Sequence, residues 1–124
     1  MERITSIQNP RIKQILQLIK TRERREQGLV AMEGAREMGL ALDAGYQPES
    51  VYLCPEVFAK SEYPELINRI STDRIVEISA GVFNKLAYRE NSDGLIALIK
   101  PKIHALSSLI LTDNPFVIVL ESVE

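Results

Sequence analysis

The chain has 124 residues, 45% of them hydrophobic, with one histidine, one cysteine and a formal charge of −2. That length supports one compact domain with its own core and leaves little for a second. The lone Cys54 can form no internal disulfide, and no membrane-length apolar stretch or signal-peptide pattern occurs, so a reducing, cytoplasmic location without a membrane partner is expected.

The charge is unevenly spread. Residues 1–26 hold seven Lys and Arg (Arg3, Arg11, Lys13, Lys20, Arg22, Arg24, Arg25) against three acids, so the remainder of the chain is clearly acidic. A polyanion responds to local potential, and the N-terminal segment is the place to look for one.

Asn9-Pro10 predicts a helix start, because Asn caps and Pro at the first helical position forfeits no needed hydrogen bond. From Arg11 the apolar Ile12, Ile15, Leu16, Leu18 and Ile19 fall within an arc of roughly 160°, which predicts one amphipathic helix to about Arg25, ended by Gln27-Gly28. Away from that arc, Lys13, Lys20 and Arg24 lie within roughly 40° of one another, with Arg11, Arg22 and Arg25 at its edge. Leu29 to Met32 reads as a strand, Glu33-Gly34 as its turn, and Ala35 to Ala44 as a helix closed by Gly45. Ser50 to Leu53 is a second strand, followed by helix from Glu56 to Ile70 in two pieces broken at Pro64. Arg74 to Ile78 is a third strand, Ser79 caps a helix carrying Val82, Phe83, Leu86 and Ala87, and Gly94 to Ile99 is a fourth strand, apolar after its glycine.

Strands alternating with short helices imply βαβ units, hence an α/β sandwich with a mainly parallel four-stranded sheet covered on both faces. Residues 100–115, with two prolines, read as a linker holding a helical turn at Ala105 to Leu109. After Asp113-Asn114-Pro115, the run from Phe116 to Glu124 reads as a strand buried on both faces, for which the chain supplies no crossover helix or neighbour. The expected organisation is therefore a domain at 1–99, a linker at 100–115 and the start of a truncated second domain at 116–124.

A self-contained catalyst needs a nucleophile with a base, paired carboxylates, a metal cluster or a phosphate loop. His104 lies in the linker, and no CxxC pair, Gly-rich phosphate loop or metal-ligand spacing occurs, so no catalytic, cofactor or metal residue is assigned and the chain alone is expected to be inactive. Three constellations remain. The basic helix could meet phosphates, although a solvated helix face accounts for the same pattern. Glu33-Gly34-Ala35-Arg36-Glu37 joins a strand to a helix start whose open N–H groups favour an anion, with Arg36 able to fork a phosphate or a base edge. Glycine also makes ordinary turns there, with Glu33 or Glu37 complementing the helix dipole. Tyr88-Arg89-Glu90-Asn91-Ser92-Asp93-Gly94 offers Tyr88 for stacking and Arg89 for phosphate, or is simply a turn.

In chain order, Ser6-Ile7-Gln8-Asn9-Pro10-Arg11-Ile12-Lys13, Arg22 to Arg25, Glu33-Gly34-x-Arg36-Glu37, Phe83-x-Lys85-Leu86, the Gly94 strand and Phe116 to Glu121 make up a pattern. It resembles the N-terminal substrate-binding domain of SpoU/TrmH family RNA 2′-O-ribose methyltransferases over essentially the whole chain. The resemblance implies an α/β/α sandwich like that of the ribosomal protein L30e and L7Ae group, gripping structured RNA, rRNA in preference to tRNA. In that group the loop and helix start after the first strand touch RNA, here Gly34, Arg36 and Glu37. The implied catalytic domain is a knotted SPOUT-class fold that binds S-adenosylmethionine as a homodimer; Phe116 to Leu120 matches its first strand, and its catalytic and cofactor motifs would follow Glu124. RNA contact is expected from Asn9, Arg11, Lys13, Arg22, Arg25, Gly34, Arg36, Arg89 and Asn91. The alternatives are a stand-alone L30e/L7Ae-like RNA-binding or ribonucleoprotein module, and a protein-interaction domain.

Overall fold

The computed structural model describes residues 2–122. A two-residue strand, β1 (Arg3–Ile4), precedes the first helix. Asn9 caps α1 (Pro10–Gln17) as its residue type predicts, its Oδ1 accepting the Arg11 N–H at 2.9 Å. The single helix expected to Arg25 is instead two, α1 and α2 (Thr21–Gln27), separated at Leu18 to Lys20. Arg24 explains the break: its guanidinium donates to the carbonyls of Leu18 at 2.9 Å and Ile19 at 2.8 Å, acceptors that the end of α1 leaves without helical partners. Leu18 turns into the core at 3% exposure while Ile19 projects at 76%, and α2 buries no residue at all.

The remaining elements are β2 (Val30–Glu33), α3 (Ala35–Asp43), β3 (Pro48–Leu53), α4 (Pro55–Phe58), β4 (Ile75–Ile78), α5 (Ala80–Leu86) and β5 (Leu95–Ile99). Ser79 caps α5, accepting the Val82 N–H at 3.3 Å. Of the two helical pieces expected between Glu56 and Ile70, the second is a 3₁₀ turn, Pro64–Arg69.

The strands form one sheet in the order β1-β4-β3-β5-β2. Pairs β1–β4 and β4–β3 are parallel, while β3–β5 and β5–β2 are antiparallel. This corrects the expectation of four mainly parallel strands to five in a mixed sheet. The physical reason is that an apolar run records burial on two faces and not direction: β5 is central and buried at all five positions although both its neighbours run against it.

The three-layer α/β/α arrangement stands. Successive β5 side chains alternate between two cores. Ile96 and Leu98 join Ile12, Ile15 and Leu18 of the first helical segment and Val82 and Phe83 of α5. Leu95, Ala97 and Ile99 join Ala35 and Met38 of α3, with Phe58, Leu66 and Ile70.

Beyond β5 the chain is clipped to the start of β3 and the loop before it. Lys100 pairs with Glu49 at 3.2 Å, and Lys102 Nζ donates to the Ala44 carbonyl at 2.6 Å while lying 4.4 Å from the centre of the Tyr46 ring. A 3₁₀ turn follows at Leu106–Ser108. Phe116 to Leu120 are exposed and have no strand partner among the described residues; the expected strand runs on to Val123 and Glu124, which lie outside them. No helix among the described residues is long and apolar enough to cross a membrane.

Candidate nucleic-acid interface

Two of the three sequence constellations meet in one junction. Gly34 joins β2 to α3 with φ 115° and ψ 142°, and its N–H bonds the Leu95 carbonyl at 3.0 Å, holding the strand end against β5. The Arg89 guanidinium crosses from the loop after α5, donating to the Glu33 carbonyl and, at 3.2 Å, to the Glu37 carboxylate. The Glu33 carboxylate in turn accepts the backbone N–H of Tyr88 at 2.8 Å. A Cβ on Gly34 would overlap the ends of the Glu37 and Arg89 side chains, which would have to shift, and the positive φ favours glycine there in any case.

The helix start of α3 does not stand open for an outside anion. Both carboxylate oxygens of Asp93 accept the Ala35 N–H, at 2.9 and 3.0 Å, so the chain supplies the anion itself. Arg89 is likewise engaged: its hydrogen bond lowers the Glu37 carboxyl below the usual range, and the same bond raises the guanidinium. Asn91 lies exposed in this loop with φ 54°, and the neighbouring Ser92 Oγ is buried without a hydrogen-bond partner. Arg36 points outward from the first turn of α3 and enters none of the ion pairs among the described residues.

On the helical face the predicted cations divide into spoken-for and open. Asn9 is committed to its cap. Arg11 is half-buried, pairs with Glu2 at 2.6 Å, donates to the Tyr52 hydroxyl at 3.3 Å and lies 5.6 Å from that ring's centre. It braces α1 on the sheet. Arg22 pairs with Glu26 at 2.9 Å one turn along α2, but it is 83% exposed, and such a pair is worth only about 0.3–0.5 kcal/mol, so a phosphate displaces it readily. Lys13 and Arg25 are exposed and have no ion pair among the described residues.

Sequence reasoning placed Arg24 on the basic helix, without naming it among the RNA contacts, and did not assign Lys85 to a site. The fold brings both to a cleft of about 540 Å³ between the break of α1 and α2, the edge strand β2 and the end of α5, with Tyr88 and Arg89 at its mouth. Both carried a signal, Lys85 in the Phe83-x-Lys85-Leu86 motif and Arg24 in the Arg22 to Arg25 run. Among the described residues no cluster of His, Cys, Asp and Glu is arranged to hold a metal ion.

Residues 9–97 match the family described as the MRM3-like substrate binding domain. An uncharacterized tRNA/rRNA methyltransferase of Synechocystis is 31% identical over 119 residues, spanning 87% of this chain and 42% of that protein. The crystal structure of an RNA 2′-O ribose methyltransferase superposes with a TM-score of 0.76 at 33% identity, over 89% of this chain and 42% of that one. The SpoU methyltransferase AviRb of Streptomyces viridochromogenes, solved in complex with AdoMet, shares the fold at a TM-score of 0.66 and 19% identity, over 85% and 40% of the two chains. The chain thus spans about two fifths of the length of these relatives.

Proposed function

The chain belongs to the MRM3-like substrate-binding domain family, and on that premise we propose that it is the RNA-gripping part of a SpoU-type RNA 2′-O-ribose methyltransferase. The observation that carries the reading is the likeness to an RNA 2′-O ribose methyltransferase at 33% identity over 89% of the chain. Residues 1–99 hold the RNA, 100–115 link, and 116–124 begin the methyltransferase domain of the parent enzyme. Lys13, Arg22, Arg25 and Arg36, exposed and, among the described residues, either unpaired or held only by a surface ion pair, meet phosphates and set the register of the RNA without reading its sequence. Arg89, Gly34 and Asn91 shape the junction beside them, and Asn9 and Arg11 fix the helix that carries the cations.

S-adenosylmethionine supplies the methyl group in such an enzyme. The described residues offer it no open anion site at the start of α3, where Asp93 takes the Ala35 N–H and Arg89 and Glu37 cover the backbone of Gly34. No residue here is assigned to the donor, which belongs to the parent's remaining domain together with the homodimer contact. We rank rRNA ahead of tRNA as the substrate and place the enzyme in the cytoplasm.

The test is titration of the chain with a labelled structured rRNA element over a range of salt. Each phosphate contact contributes about 0.9 to the slope of log affinity against log salt, so the Arg22→Gln/Arg25→Gln double variant should flatten the slope by up to about 2. An unchanged slope removes α2 from the interface. Absence of binding to structured RNA at low salt refutes the reading as a whole.

A further inference from the structure

We propose that the cleft between α2, β2 and the end of α5 is a slot for a single unstacked nucleobase, an inference that rests on the RNA-binding reading and gives it a second contact surface. The slot exists because the helix breaks. α1 ends at Gln17, α2 buries no residue, and Ala31, in an edge strand beside the break, is left exposed. The lining is largely apolar, with the buried Ile96 and the half-buried Leu16 and Leu86 inside and the exposed Ile19 at one side, and the volume of about 540 Å³ is that of a small-ligand site rather than of a protein groove.

Charge and chemistry then select the occupant. The rim carries Lys85 and two further cations, Arg24 and Arg89, whose guanidiniums are already held by backbone carbonyls and Glu37, against one carboxylate, Glu33, which is bonded to the Tyr88 N–H. Lys85 is exposed and has no ion pair among the described residues. Tyr88, 94% exposed at the mouth, is an aromatic face with nothing on it. An apolar recess ringed by cations and lidded by an open aromatic suits a flat apolar group carried on a polyanion, which is a base on its phosphate backbone. The edge strand adds directional contacts. Because the Gly34 N–H bonds Leu95, strand parity turns the Ala31 N–H and C=O away from β5, where they can pair with the edge of a base. A duplex cannot enter such a recess, so the slot takes a nucleotide that is bulged or looped out of the stack.

The probes are an RNA hairpin with a one-nucleotide bulge and the same hairpin fully paired, titrated against the wild-type chain and against Tyr88→Ala and Ala31→Leu. Tyr88→Ala removes the stacking face at a position too exposed to affect folding, and Ala31→Leu fills the slot without altering charge. The wild type should bind the bulged hairpin about tenfold more tightly than the paired one, within the range that one base–aromatic stack supplies. Both variants should lose that preference and keep their affinity for the paired hairpin. A preference that survives in both variants, or that is absent from a wild type that binds both hairpins, overturns the slot and leaves the phosphate contacts standing. If neither hairpin binds, the RNA reading falls and the slot with it. A dimer in sedimentation that Ala31→Leu dissociates would also overturn the inference, by making the occupant a second copy.

Discussion

A single methyl group at Gly34 should cost this domain a large part of its stability. Two effects add. At φ 115° and ψ 142° the residue occupies a region that glycine alone populates freely, and another residue held there pays about 1–3 kcal/mol. The new Cβ would also overlap the Glu37 carboxylate and the Arg89 guanidinium, and forcing extra atoms into an occupied space typically costs about 1–3 kcal/mol. Both side chains are partly exposed, at 35% and 48%, and can swing outward, so the second effect falls toward its lower end. The expected loss for Gly34→Ala is about 2–4 kcal/mol. Gly28 provides the control, because its φ of 64° is also left-handed but a Cβ there meets no atom within 4 Å. Gly28→Ala should therefore lose only the backbone contribution, about 1 kcal/mol. Since 1 kcal/mol moves the midpoint of a domain this size by roughly 4–8 °C, thermal unfolding followed by circular dichroism separates the two variants clearly. Equal losses at both positions would refute the crowding at Gly34 and with it the close approach of Arg89.

Asp93→Ala strips the carboxylate from the start of α3 and should cost about 1–2 kcal/mol in urea titration, as loss of an N-terminal cap does; a change below about 0.3 kcal/mol would mean that solvent serves Ala35 equally well. Arg24→Met keeps the apolar stem but leaves the Leu18 and Ile19 carbonyls without their donor, for an expected loss of about 1 kcal/mol in the same assay. Acid stability should depend on Glu56. The Arg3 hydrogen bond first, then the residue's own backbone bond and the Cys54 thiol, hold its carboxyl down to about 2 from 4.5. A carboxyl lowered on folding contributes stability that is complete above pH 4.5 and lost as the pH falls toward 2. Glu56→Gln should accordingly flatten the stability profile within that window, and a profile that keeps its slope there assigns the acid sensitivity to other carboxylates.

The parts of the fold that sequence reasoning recovers are those written in local chemistry. Asn9-Pro10 and Ser79 announce helix starts because the same side chains that mark them make the cap bonds. The strands from Leu29, Ser50, Arg74 and Gly94 emerge because burial on two faces demands apolar runs. Three features escape for three different reasons. β1 is two residues long and carries no periodicity. The antiparallel direction of β5 is set by its connection rather than by its composition. The break after Gln17 depends on Arg24 turning back onto carbonyls five and six residues earlier, a contact that cancels the apolar periodicity on which a continuous helix was expected.

The candidate interface follows a sharper version of the same rule. Cations are visible in a sequence, but their partners are assembled by the fold, and the partners decide which cations can meet RNA. Arg89 and Arg24 are drawn inward by Glu37 and by backbone carbonyls, and Arg11 is divided between Glu2 and Tyr52, so three of the basic residues act mainly as braces. Lys13, Arg25, Arg36 and Lys85 remain without ion pairs among the described residues, and Arg22 has only its exposed neighbour Glu26. A net charge of −2 is therefore compatible with polyanion binding, because recognition depends on local potential and residues 1–26 hold seven Lys and Arg against three acids. It follows that Arg36→Gln should weaken RNA binding and leave the melting temperature unchanged, whereas Arg89→Gln should lower both. A filter-binding titration run beside a thermal melt checks the split, and equal melting losses in the two variants would show that the fold does not sort braces from contacts in this way.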